Sequence, residues 1–368
     1  MTFKEETRLS PLLLFAVMIT SLFGYGLFHT SSNAAAAMGG NGYMAVLLST
    51  LAIIPVIYAL FSLQRRFPGK SIMEYAPLLI GRIPALIIHT VIWCSAFIYM
   101  VLIGRDASIM VNTYFLDRTP VWMIMLSGFG GIVYLTYHGI KSIARYCSFI
   151  LIPATTVLVI LFLLGFSNID LRLALPILSP RVGDYFHGGV SVMYLFFPVI
   201  HLWILLAFIK DTELKEARKI TFWGFGIIAV IFFVETFGAI AALGPYGITR
   251  YTWDSMEYVH IIHLPFLILE QAGLVMLIAW IAKIYGAVSV SYWLVAYSVS
   301  RIFRQLKFKS TILVLAPVYF VFLLIPLTPR QILLTEQLIQ RIGILLFLPY
   351  PLILWLLMVL GARKGFKT

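Results

Sequence analysis

The sequence predicts an all-α polytopic membrane protein with ten transmembrane helices, and three features carry that prediction. Of its 368 residues, 61% are hydrophobic and only 11% charged, where a soluble domain carries roughly a quarter charged residues. The apolar residues come in runs such as LSPLLLFAVMITSLFGYGLF, VLLSTLAIIPVIYALFSL and ILLFLPYPLILWLLMVL, each near the ~20 residues that cross a bilayer as a helix. Amide groups in hydrocarbon must pair within their own segment, so these runs are helical. Finally, 19 of the 27 lysines and arginines fall in alternate loops and the two ends, against 7 in the opposite loops. Such bias marks the cytoplasmic side. Both termini are then cytoplasmic and the number of spans is even. The net charge of +12 needs no nucleic acid to explain it.

In chain order the spans are expected at 12–37, 43–63, 83–104, 121–138, 147–166, 188–209, 222–243, 268–298, 311–327 and 341–360. The first is not a cleaved signal peptide, because nine further hydrophobic runs follow it. Ten spans divide into two five-helix repeats within one membrane domain, 1–166 and 184–360. Many transporters relate such halves by inversion and bind solute where the first helix of each half is broken.

The first span offers such a break. In SLFGYGLFHTSSN, Gly24 and Gly26 weaken the helix in mid-membrane, and His29, Thr30, Ser31, Ser32 and Asn33 follow. A polar cluster inside a span must face protein or water. Close helix packing through small residues explains the glycines equally. The sixth span carries Pro198, which predicts a kink or unwinding near Met193–Phe197. The eighth run, 266–299, is longer than a bilayer needs and so is tilted or projects outward. Loop 327–341 has amphipathic character and is expected on the outer surface.

Ionisable residues within spans are functional candidates, because burying them is costly unless they are paired. Glu235 and Lys283 lie roughly 21 and 27 Å from the cytoplasmic face at 1.5 Å per residue. They are expected to form a buried ion pair, or Lys283 to stand in for a coupling cation beside the ligand; a purely structural pair is the alternative. His89 and His201 sit at similar depths, for a proton relay or simple interhelical hydrogen bonds. Tyr25, Tyr99, Tyr194 and Tyr285 lie near the break level, where a hydroxyl could serve a ligand or a neighbouring helix.

Other chemistries are excluded. Cys94 and Cys147 fall in or at spans, which argues against a disulfide framework or a metal cluster, and no cofactor is implied. The PGKS at Pro68–Ser71 is no phosphate loop, since position 64 is Gln and no strand precedes it. The longest loop, 244–267, is too short for a catalytic domain. The exposed loops hold no nucleophile–base set, so the chain is expected not to be an enzyme.

Two segments resemble a known family. FPGKSIMEYAPLLIGR (67–82) is similar to the cytoplasmic signature of the B-subunit permeases of bacterial spore germinant receptors. TPVWMIMLSGFGGIVYLTYHGIKSIARYCSFILIP (119–153), with its tyrosines, Gly139 and following Ala–Arg, resembles that family's fourth-to-fifth-span segment. Lys141 stands where the family often has Glu, and Ile268 where it often has Arg.

The resemblance implies the fold of the amino acid–polyamine–organocation superfamily (LeuT-like), with broken helices 1 and 6 around the ligand. By position the ligand site would use Gly24, Tyr25, Gly26, Leu27 and Phe28, then Met193, Tyr194 and Phe197, flanked by Tyr99, Lys283 and Tyr285. Amides after Gly26, at a half-helix N-terminus, suit a carboxylate, which favours an amino-acid germinant such as alanine. The resemblance further implies an A-type membrane subunit and a C-type lipoprotein subunit as partners, in the spore inner membrane. An ion-coupled secondary amino-acid transporter of the same superfamily is the competing expectation.

Overall fold

Ser10 and Pro11 start the first helix. Proline loses nothing in a first turn, and Ser10 Oγ accepts from the Leu13 N–H at 3.3 Å. This helix, α1 (Pro11–Gly26), gives way at Leu27–His29 and resumes as α2 (Thr30–Met38), bent by 62°. His29 turns the corner at φ 73°, the one positive φ outside glycine among the described residues. A side chain there costs of order 1–3 kcal/mol. The computed structural model describes residues 7–175, 182–262, 272–303 and 307–363.

The chain continues as α3 (Tyr43–Arg66), the short α4 (Ile72–Ile80), α5 (Arg82–Tyr114), α6 (Val121–Tyr137) and α7 (Ile140–Leu164). Then α8 (Val182–Ser191) runs into a tight 3₁₀ turn at Met193–Phe196, and α9 (Val199–Leu205) follows Pro198. The two arms of this sixth segment are bent by 45°. Next come α10 (Leu214–Leu243), α11 (Asp254–His260), α12 (Ala272–Ile302), α13 (Phe308–Leu324), α14 (Pro329–Phe347) and α15 (Pro349–Arg363). No strand occurs among the described residues.

By length and composition five helices can cross a membrane, or seven if each bent pair counts as one. Three shorter apolar helices, Val121–Tyr137, Phe308–Leu324 and Pro349–Gly361, lie at predicted spans four, nine and ten. The expected run 341–360 is not one helix. Pro349 lacks an N–H and ends α14, so α14 and α15 meet there as separate helices. The stretch expected as a surface loop, 327–341, is mostly the first part of α14, which packs on α5 and the 3₁₀ turn. The start of the expected eighth span, with Ile268, lies outside the described residues.

The centre of the bundle is α12. From Gly286 to Ser298 every residue is buried, the pattern of a helix with neighbours on all sides. It packs against α1, α5, α6, α7 and α13. Gly24 lets α1 approach it closely, since a Cβ there would lie 2.7 Å from Ala287 Cβ. On the periphery the polarity is that of a lipid-facing surface: Phe149, Ile152 and Leu163 of α7 are 80%, 74% and 55% exposed.

Candidate functional site

The two interruptions meet. Tyr25, at the end of α1, stacks on Tyr99 of α5 with centroids 5.3 Å apart, and both rings meet Phe197 beside Pro198, at 5.9 and 4.7 Å. A buried phenol needs a partner: Tyr25 OH lies 2.6 Å from Ser291 Oγ on α12, which also lies 2.9 Å from His201 Nε2 on α9. A second link crosses the gap where Tyr194 OH approaches Thr30 Oγ1 at 3.2 Å, while that hydroxyl bonds the Gly26 carbonyl.

A cavity of about 30 Å³ lies against the sixth break, lined by Tyr99, Met193, Tyr194, Phe197, Ile53 and Phe347 among others. That is room for a water or two. Phe347 closes it, its ring 4.9 Å from that of Phe197. The space as it stands is smaller than an amino acid.

On the α2 side, the break is stitched by residues that sequence reasoning passed over. Asp254 accepts from the His29 N–H at 3.1 Å and from the Ser32 N–H. Ser255 Oγ lies 2.8 Å from the Leu27 carbonyl and 2.6 Å from Glu235 Oε1, and Ser31 Oγ donates to Glu235 Oε2 at 2.9 Å. Phe28 packs edge-on against Trp280 at 4.3 Å. The half-helix amides expected to await a ligand carboxylate therefore already hold one of the chain's own.

Of the predicted site residues, Gly24, Tyr25, Gly26, Leu27, Phe28, Tyr99, Met193, Tyr194 and Phe197 gather around the two breaks. Two do not. Lys283 donates to Thr155 Oγ1 at 2.8 Å and lies 4.5 Å from the centre of the Phe23 ring. No ion pair joins it to Glu235 among the described residues, because Glu235 is held by Ser31, Ser255 and Thr236 on another face. Similar estimated depths did not make the two partners: each side chain is satisfied by a different set of groups. Tyr285 instead lines a separate cavity of about 460 Å³ between α5, α6, α12 and α13, packed against Gly131. His89 pairs with Tyr350 OH at 2.9 Å and His201 with Ser291, so no bond links the two histidines.

The 67–82 segment is a local structural unit. Ser71 caps α4 through a capping box with Glu74, satisfying first-turn amides, and Phe67 stacks on Tyr75 at 5.1 Å.

Comparison with known proteins agrees with this architecture. The chain is 21% identical to the spore germination protein YndE of Bacillus subtilis (strain 168), covering 85% of this chain and 86% of that one. It is 23% identical to spore germination protein A2 of the same organism, over 88% and 87%. Among solved structures it resembles MhsT in complex with L-phenylalanine (TM-score 0.71, 16% identity, 98% and 90% covered). It also resembles the nucleobase–cation symporter Mhp1 (0.65, 14%, 90% and 75%) and a Na⁺-coupled sialic acid symporter (0.66, 13%, 94% and 79%). The fold is thus that of the LeuT-like transporters, and the chain is an integral membrane protein with a transporter-like or receptor role. With the spore germination protein family model matching residues 8–332, the chain belongs to that family.

Proposed function

We propose that this chain is the nutrient-sensing subunit of a spore germination receptor, binding a small solute, an amino acid, between its two broken helices. The observation that carries the reading is the meeting of the breaks: Tyr25 and Phe197, from separate interrupted segments, share one aromatic cluster with Tyr99. Unwound backbone at membrane depth is costly unless it lines a site or is bonded by protein. The likeness to a protein solved with L-phenylalanine supports the ligand class.

In this reading ten spans form two inverted halves, 1–166 and 184–360, with both termini cytoplasmic, in the spore inner membrane beside an A-type subunit and a C-type lipoprotein. Sensing works by population shift, the solute binding a conformation in which Phe197 and Phe347 have parted. Thermal stabilisation of the purified protein across amino acids, nucleosides and sugars tests the reading; stabilisation by amino acids alone is the expected outcome, and none by any nutrient class contradicts it.

The fold likeness to symporters favours one competitor, an ion-coupled amino-acid transporter. Vigorous ion-driven uptake of labelled amino acids by the isolated chain in proteoliposomes would establish that instead.

A further inference from the structure

A strap between α10 and α12 reaches into the break of the first span. Asp254 is fully buried. Its carboxylate accepts from the His29 and Ser32 amides, and from the Ser255 N–H at 2.7 Å. Beside it, Ser255 Oγ reaches the Leu27 carbonyl. Trp253 Nε1 lies 3.1 Å from each carboxylate oxygen of Asp106, which is itself 3.5 Å from His29 Nε2. Asp254 and Ser255 thus tie the start of α11 to both arms of the break, while Trp253 ties it to Asp106 of α5. Asp254 and Ser255 satisfy backbone groups on each side of the break: a carbonyl before the bend and two amides after it.

Amides at the start of a helix hold a carboxylate whatever molecule carries it. An α-amino acid bound at this break presents the same group to the same kind of atoms. Two carboxylates cannot share one pair of amides without like-charge repulsion. One must leave.

We propose that Asp254 is a built-in substitute for the carboxylate of the ligand, so that a carboxylate-bearing solute binds the His29 and Ser32 amides by displacing it and thereby loosens the 253–255 strap. This rests on the reading of the break as the solute site, and it makes loosening of the strap the movement that reports occupancy. Without solute the strap is down and the bend is held by the chain itself. With solute, the amides keep a carboxylate while Asp254 loses both of its bonds to the break, leaving the strap held only through Trp253 and Ser255. A ligand alters the balance only through its different affinity for the two states.

Hydrogen–deuterium exchange over residues 249–262 of the full-length protein in lipid nanodiscs tests this, with L-alanine and L-alaninamide as probes. In Asp254→Ala without any probe, the strap exchanges at least about tenfold faster than in wild type, since two charge-assisted hydrogen bonds to the break are lost and one alone is worth about that factor. In wild type, L-alanine raises strap exchange by a similar factor and L-alaninamide, which lacks the carboxylate, does not. Asp254→Ala binds L-alanine about tenfold more tightly, having lost the internal competitor. Should Asp254→Ala fail to fold, Ser255→Ala, which cuts the tie to the Leu27 carbonyl, is expected to loosen the strap severalfold. A strap equally protected in wild type and folded variants overturns the proposal. If L-alanine binds wild type yet leaves the strap protected, displacement is wrong while the solute site stands. If neither probe nor any other amino acid binds wild type or variants, the solute-site reading falls and displacement with it.

Discussion

Tyr25 and His201 never bond each other, yet both end on the same Ser291 hydroxyl, at 2.6 and 2.9 Å. That single hydroxyl joins the tip of α1 to the half-helix after Pro198 through the central α12, and so fixes the two interrupted segments relative to one another.

Removing it is expected to cost more than removing either partner. Ser291→Ala strands two buried polar groups, each worth about 1–3 kcal/mol, whereas Tyr25→Phe loses one hydrogen bond worth about 1 kcal/mol. Thermal unfolding in detergent should rank wild type above Tyr25→Phe and Tyr25→Phe above Ser291→Ala.

The two glycines of the first break should respond differently to alanine. A Cβ on Gly24 meets Ala287 Cβ and, at 3.3 Å, the Lys283 carbonyl, neither of which can rotate away. Overpacking of this kind costs about 1–3 kcal/mol. A Cβ on Gly26 overlaps Leu195 Cδ1, the mobile end of a side chain. The same unfolding assay should find Gly24→Ala the less stable of the pair.

Lys283 is held by one hydroxyl and one aromatic face, and it lies off the cavity at the breaks. An apolar residue of similar volume is often neutral or stabilising, by about 1–4 kcal/mol, in place of a buried ionic group. Lys283→Met should therefore match or exceed wild type in thermal stability while keeping its solute affinity. Loss of binding in a well-folded Lys283→Met protein would return Lys283 to the ligand site.

Phe347 is the ring that caps the cavity. Phe347→Ala should destabilise the protein by about 1–2 kcal/mol, less than the roughly 3–5 kcal/mol of a fully buried ring because Phe347 is only partly buried, and should widen the accepted solutes toward larger amino acids. Thermal-shift titration with L-alanine and L-phenylalanine measures both effects on one sample.

The breaks were legible because glycine and proline act through local backbone chemistry: Gly24, Gly26 and Pro198 announce them whatever surrounds them. What holds the breaks was not. Asp254 lies 222 residues from Ser32 in sequence, and no periodicity links an aspartate opening a short helix to a distant half-helix. Lys283 and Glu235 failed as a pair because counting residues gives depth along a helix but not the direction in which a side chain faces. Phe347 was hidden for a third reason. The 329–347 stretch has the polar and apolar faces of a surface helix, and only the packing of its apolar face on Phe197 shows that it closes the cavity.

The central claim, that a solute binds where the two interrupted helices meet, is tested most directly by comparing one affinity across two variants. Phe197→Ala alters the cluster at the breaks, and Tyr285→Ala alters the separate cavity. For the amino acid that most stabilises wild type, affinity measured by calorimetry in nanodiscs should fall at least about tenfold in Phe197→Ala, as for loss of a buried aromatic anchor, and stay unchanged in Tyr285→Ala. The reverse order, or equal affinity in all three proteins, would contradict it.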